Sequence, residues 1–464
     1  MLLVLPTDST ALAKLPASAS WLGAHRRESP RAAQVRSFAL GDRQFMGVLG
    51  YTKRVTSQFE RLTLAGQMLR EVATRRPARL ALMIDGALGA ADEWFEALIA
   101  AALAHSFTLP QFRRQRTPAW RLRTLDLYSA PSALPVAQIV ASAQATNLVR
   151  WLTALPPNVL DARAYRRLLQ SLAREHGLKM QWYDEAALRR LGAGAFLAVA
   201  RGNPTRVAGI ARLTWRGRTA RDIDVALVGK GVLFDTGGIN LKPHRHMLDM
   251  HTDMAGSAVA LASLLALARL RRRINAEAWL AITENNIGPD AYRPQDVVRA
   301  LNGVTIQVIH TDAEGRMALA DTLALAARGK PRLLVDFATL TGACVSALTE
   351  RYSGLFCADA RLTSDFLAAG VRSGERLWSF PLDADFDSDL DSSVADIKQC
   401  AVEGKGDHIL ATRFLRRFVP ENMRWAHIDL SSATRTGGLA HVPTEITGFG
   451  AGVTLRLLLD RSSR

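Results

Sequence analysis

The chain has 464 residues, of which 48% are hydrophobic and 22% are charged. This length is enough for roughly two or three domains with buried cores, and the composition excludes a chain that is disordered throughout. The formal net charge is +16, from 59 basic against 43 acidic residues, and only eight of the basic residues are lysine. Because no run of five basic residues occurs, the charge indicates a solvated, arginine-rich surface. Attraction to nucleic acid or acidic partners is the alternative.

The N-terminal part of the chain is predicted to be a mixed α/β domain over residues 1–135. Residues 44–51 and 79–85 have the pattern of strands. Residues 59–75 and 91–107 place apolar side chains at three- and four-residue spacing, which predicts helices. No cluster of acidic, histidine or cysteine residues in this part indicates a reaction.

A linker helix is predicted over residues 136–160, ended by Pro156 and Pro157, and a second α/β domain over 161–464. In the second domain, predicted strands alternate with predicted helices. The strands are 222–230, 277–283, 305–310 and 332–339, and the helices are 254–273 and 316–329. This order predicts a central mixed sheet flanked by helices on both faces, with ligands at the carboxyl ends of the strands.

The cysteine pattern and the apolar segments bear on localisation. The cysteines Cys344, Cys357 and Cys400 are odd in number and form no CxxC pair, which favours a reducing compartment. The N-terminus lacks the basic region of a secretory signal, and no apolar stretch reaches the roughly 18 residues of a membrane span. We therefore expect a cytoplasmic protein without membrane contact.

Charged residues follow two of the predicted strands. Lys230 ends the strand 222–230, and Asp235, a Gly-Gly pair and Lys242 come next. Asp312 and Glu314 follow the strand 305–310, and spacing of two places them on one side of an extended segment. We expect both groups at one edge of one sheet.

A fourth acid, Asp253, precedes the buried helix predicted over 254–273. Four carboxylates that converge on one edge repel one another unless positive charge lies among them, and a pair of divalent cations supplies it well. Each acid taken alone is more often a helix cap or a solvated loop residue. The segment is not a phosphate-binding P-loop, because the GxxxxGK[ST] order is absent.

Several motifs carry a family resemblance over about two-thirds of the chain, from Asn147 onward. They are VGKGVLFDTGG, LKP, TDMAGSA, AYRPQDV, TDAEGR and DFATLTGAC. Together they resemble the leucine aminopeptidase family of binuclear metallo-exopeptidases, also called cytosol aminopeptidases. The resemblance implies an enzyme that hydrolyses the N-terminal residue, apolar and Leu-like, from peptides by means of a water activated by two metals.

The resemblance also implies roles for single residues. Asp235 and Glu314 would bridge the two metals, Lys230 and Asp253 would complete one metal site, and Asp312 would serve the other. The catalytic basic residues would be Lys242 and Arg316, with Arg316 holding a bicarbonate that shuttles a proton. The substrate side chain would lie near Met250, Thr339, Leu340 and Gly342.

The resemblance further implies Mn or Zn, or else Mg, as the metals, and a homohexamer. His310 and the segment HRHM, which contains His244 and His246, depart from the family pattern. With His251, these histidines crowd the site and leave the metal and the specificity open. An HxH pair can bind metal, although the carboxylate set is already complete. The alternative function is a nucleic-acid-binding protein of the same fold, whose basic surface binds weakly and nonspecifically and whose peptidase activity is secondary or lost.

Overall fold

The computed structural model of the protein describes residues 1–6, 35–40, 45–53 and 56–461. The sixteen strands of this part are β1 (Leu2–Pro6), β2 (Val35–Leu40), β3 (Phe45–Thr52), β4 (Arg79–Ile84), β5 (Thr124–Tyr128), β6 (Lys179–Asp184), β7 (Gly209–Arg216), β8 (Val225–Asp235), β9 (Asn275–Asn285), β10 (Val297–Arg299), β11 (Thr305–Gln307), β12 (Leu334–Ala338), β13 (Ser353–Phe356), β14 (Leu377–Ser379), β15 (Ile397–Lys398) and β16 (Trp425–Asp429). They form three sheets.

Helices cover these sheets. Those of the described residues are α1 (Gln58–Ala73), α2 (Ala91–Ser106), α3 (Val136–Thr153), α4 (Ala162–Glu175), α5 (Glu185–Leu191), α6 (Gly194–Ala200), α7 (His244–Met247), α8 (Ala255–Arg269), α9 (Glu314–Ala327), α10 (Gly342–Leu348), α11 (Ala360–Ser373), α12 (Asp407–Arg416) and α13 (Ala451–Arg461). The mixed α/β class predicted from the sequence is confirmed.

The first sheet has five strands in the order β2-β3-β1-β4-β5. All neighbouring strands are parallel except β2 and β3. Helices α1 and α2 share one hydrophobic cluster with this sheet. The predicted strands 44–51 and 79–85 and the two predicted helices are confirmed within a few residues. The strands β1, β2 and β5 were not predicted.

The second sheet has eight strands in the order β14-β13-β16-β12-β8-β9-β7-β6. Its centre is parallel, since β8 pairs in parallel with both β9 and β12, whereas β6, β7 and β13 run antiparallel to a neighbour. Helix α8 packs in one hydrophobic cluster and α9 in another, so the sheet is covered on both faces. Such burial explains why the central strands are apolar along their whole length.

Helix α8 is apolar on all sides, and every residue from Ala255 to Ala268 is buried. The segment His244–Arg269 reaches the length and apolar character of a membrane span, with mean hydropathy 1.3, but 83% of its apolar window is buried inside the protein. A helix that is hydrophobic all round is buried in a core or in a membrane, and here the core accounts for it.

The third sheet corrects one prediction. Strand β11 pairs with β10 and β15 in a separate three-stranded sheet, not with the central strands. Residues 312–314 therefore follow a strand of a different sheet from the one that contains β8. The prediction that both charged groups lie at one edge of one sheet was wrong in this respect, because strand order along the chain does not decide which strands pair.

Helix α3 begins close to the predicted start of the linker helix but ends at Thr153, ahead of Pro156. It contributes Ile139 to the cluster beneath the first sheet, and Ala145 and Val149 to a cluster beneath the second. It thus packs against both halves of the protein. The boundaries at 1–135, 136–160 and 161–464 stay a prediction.

Candidate metal centre

Lys230 lies within β8, which continues to Asp235, so the prediction that Lys230 ends its strand was wrong. Its side chain is 3% exposed. The amine lies 3.0 Å from the carbonyl oxygen of Thr339, 2.8 Å from Oδ2 of Asp253 and 2.9 Å from Oε1 of Glu314. The aliphatic part of the Lys230 side chain is buried, and three oxygen atoms surround its amine.

Asp235 ends β8 beside Lys242. The amine of Lys242 lies 2.9 Å from Oδ2 of Asp235 and 2.5 Å from Oδ1 of Asp312. Between Asp235 and Lys242 the backbone turns at Gly237, where φ is +87° and a Cβ would lie 2.5 Å from the carbonyl oxygen of Asn240. Only glycine adopts this turn without strain, so the glycine positions the second lysine against the carboxylates.

Asp312 lies in the loop after β11, and Glu314 is the first residue of α9 rather than part of an extended segment. One carboxylate oxygen of each lies within 4.8 Å of the other and of one from Asp235. Among the described residues, this is the only group of three or more His, Cys, Asp or Glu side chains placed closely enough to share an ion. The structure therefore brings together the acids that the sequence singled out.

Three carboxylates of this centre have raised pKa values. Burial raises the pKa of Glu314 to about 8, and the charge of Asp235 adds to the rise. Burial also raises the pKa of Asp253 to about 6, and that of Asp312 in the same direction. Burial alone would lower the pKa of Lys230, but the surrounding carboxylates raise it further than burial lowers it. The centre thus favours any additional positive charge.

The residues of the centre fit divalent cations. With every group ionised, four carboxylates face two lysine amines, which leaves two negative charges in excess. Oε2 of Glu314 is buried and accepts no hydrogen bond. Oδ2 of Asp253 and Oδ1 of Asp312 instead face lysine amines, at 2.8 and 2.5 Å. Unsatisfied carboxylate oxygens around a negative centre are ligands for hard or borderline cations.

A buried glutamine, which the sequence analysis missed, holds the loop that carries Asp312. The side chain of Gln399 accepts hydrogen bonds from the backbone N–H groups of Ile309 and His310, both at 3.1 Å. It donates to the carbonyl of Ala313 at 3.0 Å. No local pattern marks Gln399, because it lies about 90 positions from the loop.

Two further side chains connect this loop to β8. Asn285 donates to Oδ1 of Asp235 at 2.7 Å and to the carbonyl of Thr311 at 3.0 Å. The hydroxyl of Tyr292 donates to the same carbonyl at 2.7 Å. Asn285 ends β9, so the rule that ligands gather at strand ends could have found it.

Arg316 is 2% exposed and has an anionic partner within the chain. Its Nη2 donates to both carboxylate oxygens of Asp407, at 2.8 and 2.7 Å, and its Nη1 donates to the carbonyl of Gln399 at 3.2 Å. Asp407 is the first residue of α12 and is 25% exposed. The sequence analysis did not single out Asp407.

The predicted substrate-pocket residues lie on two segments beside the centre. The hydroxyl of Thr339 donates to Oδ1 of Asp253 at 2.7 Å. Leu340 is half-buried, and Gly342 is exposed, with no atom within 4 Å of where a Cβ would lie. Met250 is half-buried in the turn that precedes Asp253. Space therefore remains beside Gly342.

The histidines lie around the centre rather than in its donor group. His244 and His246 are exposed in α7, and His251 is half-buried. Nδ1 of His310 accepts the backbone N–H of Asp312 at 3.3 Å. Among the described residues, none of the four belongs to a group of three donors close enough for an ion, so the HxH pair gains no support as a metal site.

The fold and the centre define a metal-dependent hydrolase of the α/β class, and comparison with known proteins identifies the family. Residues 147–456 match the model described as the cytosol aminopeptidase family, catalytic domain. A probable cytosol aminopeptidase of Methylorubrum extorquens is 40% identical over 349 residues, which are 75% of this chain and 68% of the relative. One of Syntrophotalea carbinolica is 38% identical over 410 residues, 87% and 79% of the two chains.

Solved structures agree with the family match. The bottromycin maturation enzyme BotP in complex with Mn aligns with a TM-score of 0.86 and 33% identity, covering 99% of each chain. A mutant of tomato leucine aminopeptidase shares the fold, with a TM-score of 0.87 and 24% identity over 99% of this chain and 93% of that one. The chain therefore belongs to the cytosol aminopeptidase family, and it is a metal-dependent aminopeptidase of the leucyl type.

Proposed function

We propose that this enzyme removes apolar N-terminal residues from peptides with the help of two divalent cations held at the candidate metal centre. Asp235 and Glu314 would be shared by the two cations, Lys230 and Asp253 would complete one site, and Asp312 would serve the other. The observation that carries this proposal is the group of three carboxylate oxygens within 4.8 Å of one another. The unsatisfied Oε2 of Glu314 supports it.

When bound, a pair of cations lowers the pKa of water and polarises the scissile carbonyl. Side chains of the protein stabilise the developing charge and position the reacting groups. The amine of Lys242 steadies the negative charge that develops on the carbonyl oxygen. The buried Arg316 fixes an anion beside the reacting water. Gln399, Asn285 and Tyr292 hold the loop of Asp312 in place and limit the motion of the centre during the reaction.

The substrate preference follows from the residues beside the centre. Met250 and Leu340 offer apolar surface, and the space beside Gly342 leaves room for a branched side chain. We propose that Leu and Met at the N-terminus are cleaved faster than Asp or Glu. Ser431 is buried, and its hydroxyl lies 3.5 Å from the sulfur of Cys344, so it adds a polar group next to helix α10.

The remaining features of the proposal come from the family. We propose a homohexamer in the cytoplasm, with Mn or Zn as the metal and Mg as a third candidate. The free cysteines support a reducing compartment. Bicarbonate at Arg316 stays a prediction, and the contacts of Arg316 favour a different anion. The three-part division at 1–135, 136–160 and 161–464 belongs to the proposal as well.

Nucleic-acid binding by the basic surface stays a prediction that rests on the net charge of +16. We expect it to be weak and independent of sequence. It should appear in gel-shift experiments at low salt and fade steeply as salt rises. Selective binding that persists at physiological salt would favour the alternative function.

The proposed function is tested by measuring release of amino acid from a panel of N-terminal aminoacyl substrates. Exhaustive chelation should abolish activity, and Mn²⁺, Zn²⁺ or Mg²⁺ added singly should restore it to different degrees. Elemental analysis of the restored enzyme should find two cations per chain. Full activity in metal-stripped protein would exclude the two-metal mechanism, and fastest cleavage of acidic N-terminal residues would exclude the proposed pocket.

A further inference from the structure

Arg316 pairs with Asp407, whereas the family resemblance implies a bicarbonate at Arg316. Arg316 is buried, and its Nη2 donates to both carboxylate oxygens of Asp407 while Nη1 donates to the carbonyl of Gln399. A carboxylate of the chain therefore contacts the guanidinium where a bicarbonate was expected. Two oxygens on one planar carbon give a carboxylate and a bicarbonate the same hydrogen-bonding shape.

Arg316 offers little surface to a free anion in this arrangement. Only 2% of the Arg316 side chain is exposed, whereas Asp407 is 25% exposed and is the member of the pair that faces solvent. A second anion would also meet the negative charge of Asp407 directly. The nearby carboxylate of Glu314 acts on Arg316 as well and adds to the repulsion of any anion that arrives from solution.

The local backbone presents Asp407 to Arg316. Gly404 and Gly406 have φ values of +69° and +62°, and the chain turns through them into α12, whose first residue is Asp407. A negative charge in the first turn of a helix is favourable, and Asp407 is the first residue of α12. The same segment supplies the carbonyl of Gln399, which orients the other arm of Arg316.

We propose that Asp407 is the built-in anion of this enzyme and a catalytic residue, which makes the reaction independent of free bicarbonate. This inference rests on the proposed peptidase function. In the reaction, the attacking water gives a proton to a carboxylate oxygen of Asp407 as its oxygen bonds to the carbonyl carbon. The proton then passes to the nitrogen of the departing amine as the carbon–nitrogen bond breaks. One water is consumed, and the carboxylate is regenerated.

A second Asp–Arg pair in the same region offers a matched control. Arg413, also on α12, donates from Nε and Nη2 to the two carboxylate oxygens of Asp387, at 2.6 and 2.5 Å. The two side chains are 11% and 31% exposed, so this pair resembles the other in burial, although two guanidinium nitrogens contact the carboxylate instead of one. Arg413 and Asp387 are not among the residues that contact the candidate metal centre.

The test compares wild type, Asp407→Ala, Asp407→Asn and Asp387→Ala in buffer freed of carbon dioxide, with and without added bicarbonate. Wild type should change less than about two-fold on addition of bicarbonate. Asp407→Ala should lose about 100-fold in kcat, in the range of a lost general base, and regain about ten-fold or more with bicarbonate or formate. Asp387→Ala should melt at a lower temperature but keep its kcat and ignore bicarbonate. Asp407→Asn keeps the side-chain shape but leaves the buried Arg316 without its counter-charge, so it should lose kcat and melt at a lower temperature than wild type.

A thermal melt in bicarbonate provides a readout that needs no turnover. An anion that binds only the folded state raises the melting temperature, so bicarbonate should stabilise Asp407→Ala and not wild type. Strong stimulation of wild type by bicarbonate, or normal kcat in both Asp407 variants, would overturn the proposal. If no protein hydrolyses any substrate, the proposed function fails, and the melts still decide whether Asp407 fills the anion position.

Discussion

The amine of Lys230 lies 2.9 Å from Oε1 of Glu314 in the interior of the protein, where both side chains are almost fully buried. Burial raises the pKa of Glu314 to about 8. A cation placed between these two groups would favour the ionised carboxylate and the neutral amine, which is the form of lysine that offers a lone pair. If a cation binds here, the ion pair can therefore be replaced by two metal ligands, the carboxylate of Glu314 and the neutral amine of Lys230.

Replacement of Lys230 by Arg separates the role of ligand from that of counter-charge. The guanidinium keeps its proton in proteins and offers no acceptor, so Lys230→Arg should weaken one metal site. We expect a fall in kcat/KM of at least about 100-fold, beyond the usual cost of losing a partner that only supports a ligand. Elemental analysis, turnover and a thermal melt measure this.

The matched control is Lys405→Arg, since Lys405 is 86% exposed and pairs with Glu403 at the surface. It should bind metal and turn over like wild type. Two bound metals and near-normal turnover in Lys230→Arg would mean that Lys230 is only a counter-charge.

Gly315 should tolerate no side chain. A Cβ at this position would lie 2.6 Å from Cε and 2.7 Å from Nζ of Lys230. Gly315→Ala should therefore displace the lysine, lower the free energy of unfolding by about 1–3 kcal/mol as other overpacked sites do, and reduce the metal content. At Gly329 a Cβ would meet only the carbonyl oxygen of Ala326, at 3.5 Å. Gly329→Ala should remain within about 0.5 kcal/mol of wild type. Equal melting curves and metal contents for the two variants would contradict this account.

Removal of the Gln399 side chain should loosen the loop of Asp312. Gln399→Ala leaves the N–H groups of Ile309 and His310 and the carbonyl of Ala313 without their partner. Each of these partly buried groups that water does not reach costs about 1–3 kcal/mol. We expect a lower melting temperature and weaker metal binding by titration calorimetry. Gln111→Ala, in an exposed loop, is the control. Unchanged metal affinity in Gln399→Ala would show that the loop is held by other contacts.

Asp321 should make stability depend on pH. Its two carboxylate oxygens accept the backbone N–H groups of Phe196 and Leu301, and burial raises its pKa to about 7. Between the ordinary aspartate value of about 4 and pH 7, the folded state holds the proton more tightly than the unfolded state. The contribution of Asp321 to stability is therefore complete at the acidic end and is lost as pH rises to about 7.

The variant Asp321→Asn has no charge to titrate, so its melting temperature should fall less than that of wild type between pH 5 and pH 7. One hydrogen bond is lost, because an amide nitrogen cannot accept the second N–H, and the variant should be less stable at the acidic end. Parallel pH profiles of the two proteins would show that Asp321 does not titrate in this range.

The sequence alone singled out the acids and lysines that the structure brings together, and it predicted most of the elements that carry them. Apolar periodicity marked α8 and α9, and alternation of strands with helices gave the α/β class. The motif TDAEGR marked Asp312, Glu314 and Arg316 through the family resemblance that it carries. These signals are local, since they depend on residues a few positions apart.

The tertiary structure alone decided which distant segments meet. Strand β11 entered a separate sheet although its position in the chain predicted the central one. Asp407 reached Arg316 across 91 positions, and Gln399 reached the loop of Asp312 across about 90. The spacing of apolar residues shows which face of a single helix or strand is buried. Which elements pair with one another depends on the packing of the whole core. For that reason the candidate metal ligands could be predicted from the chain, whereas the carboxylate that faces Arg316 emerged only from the fold.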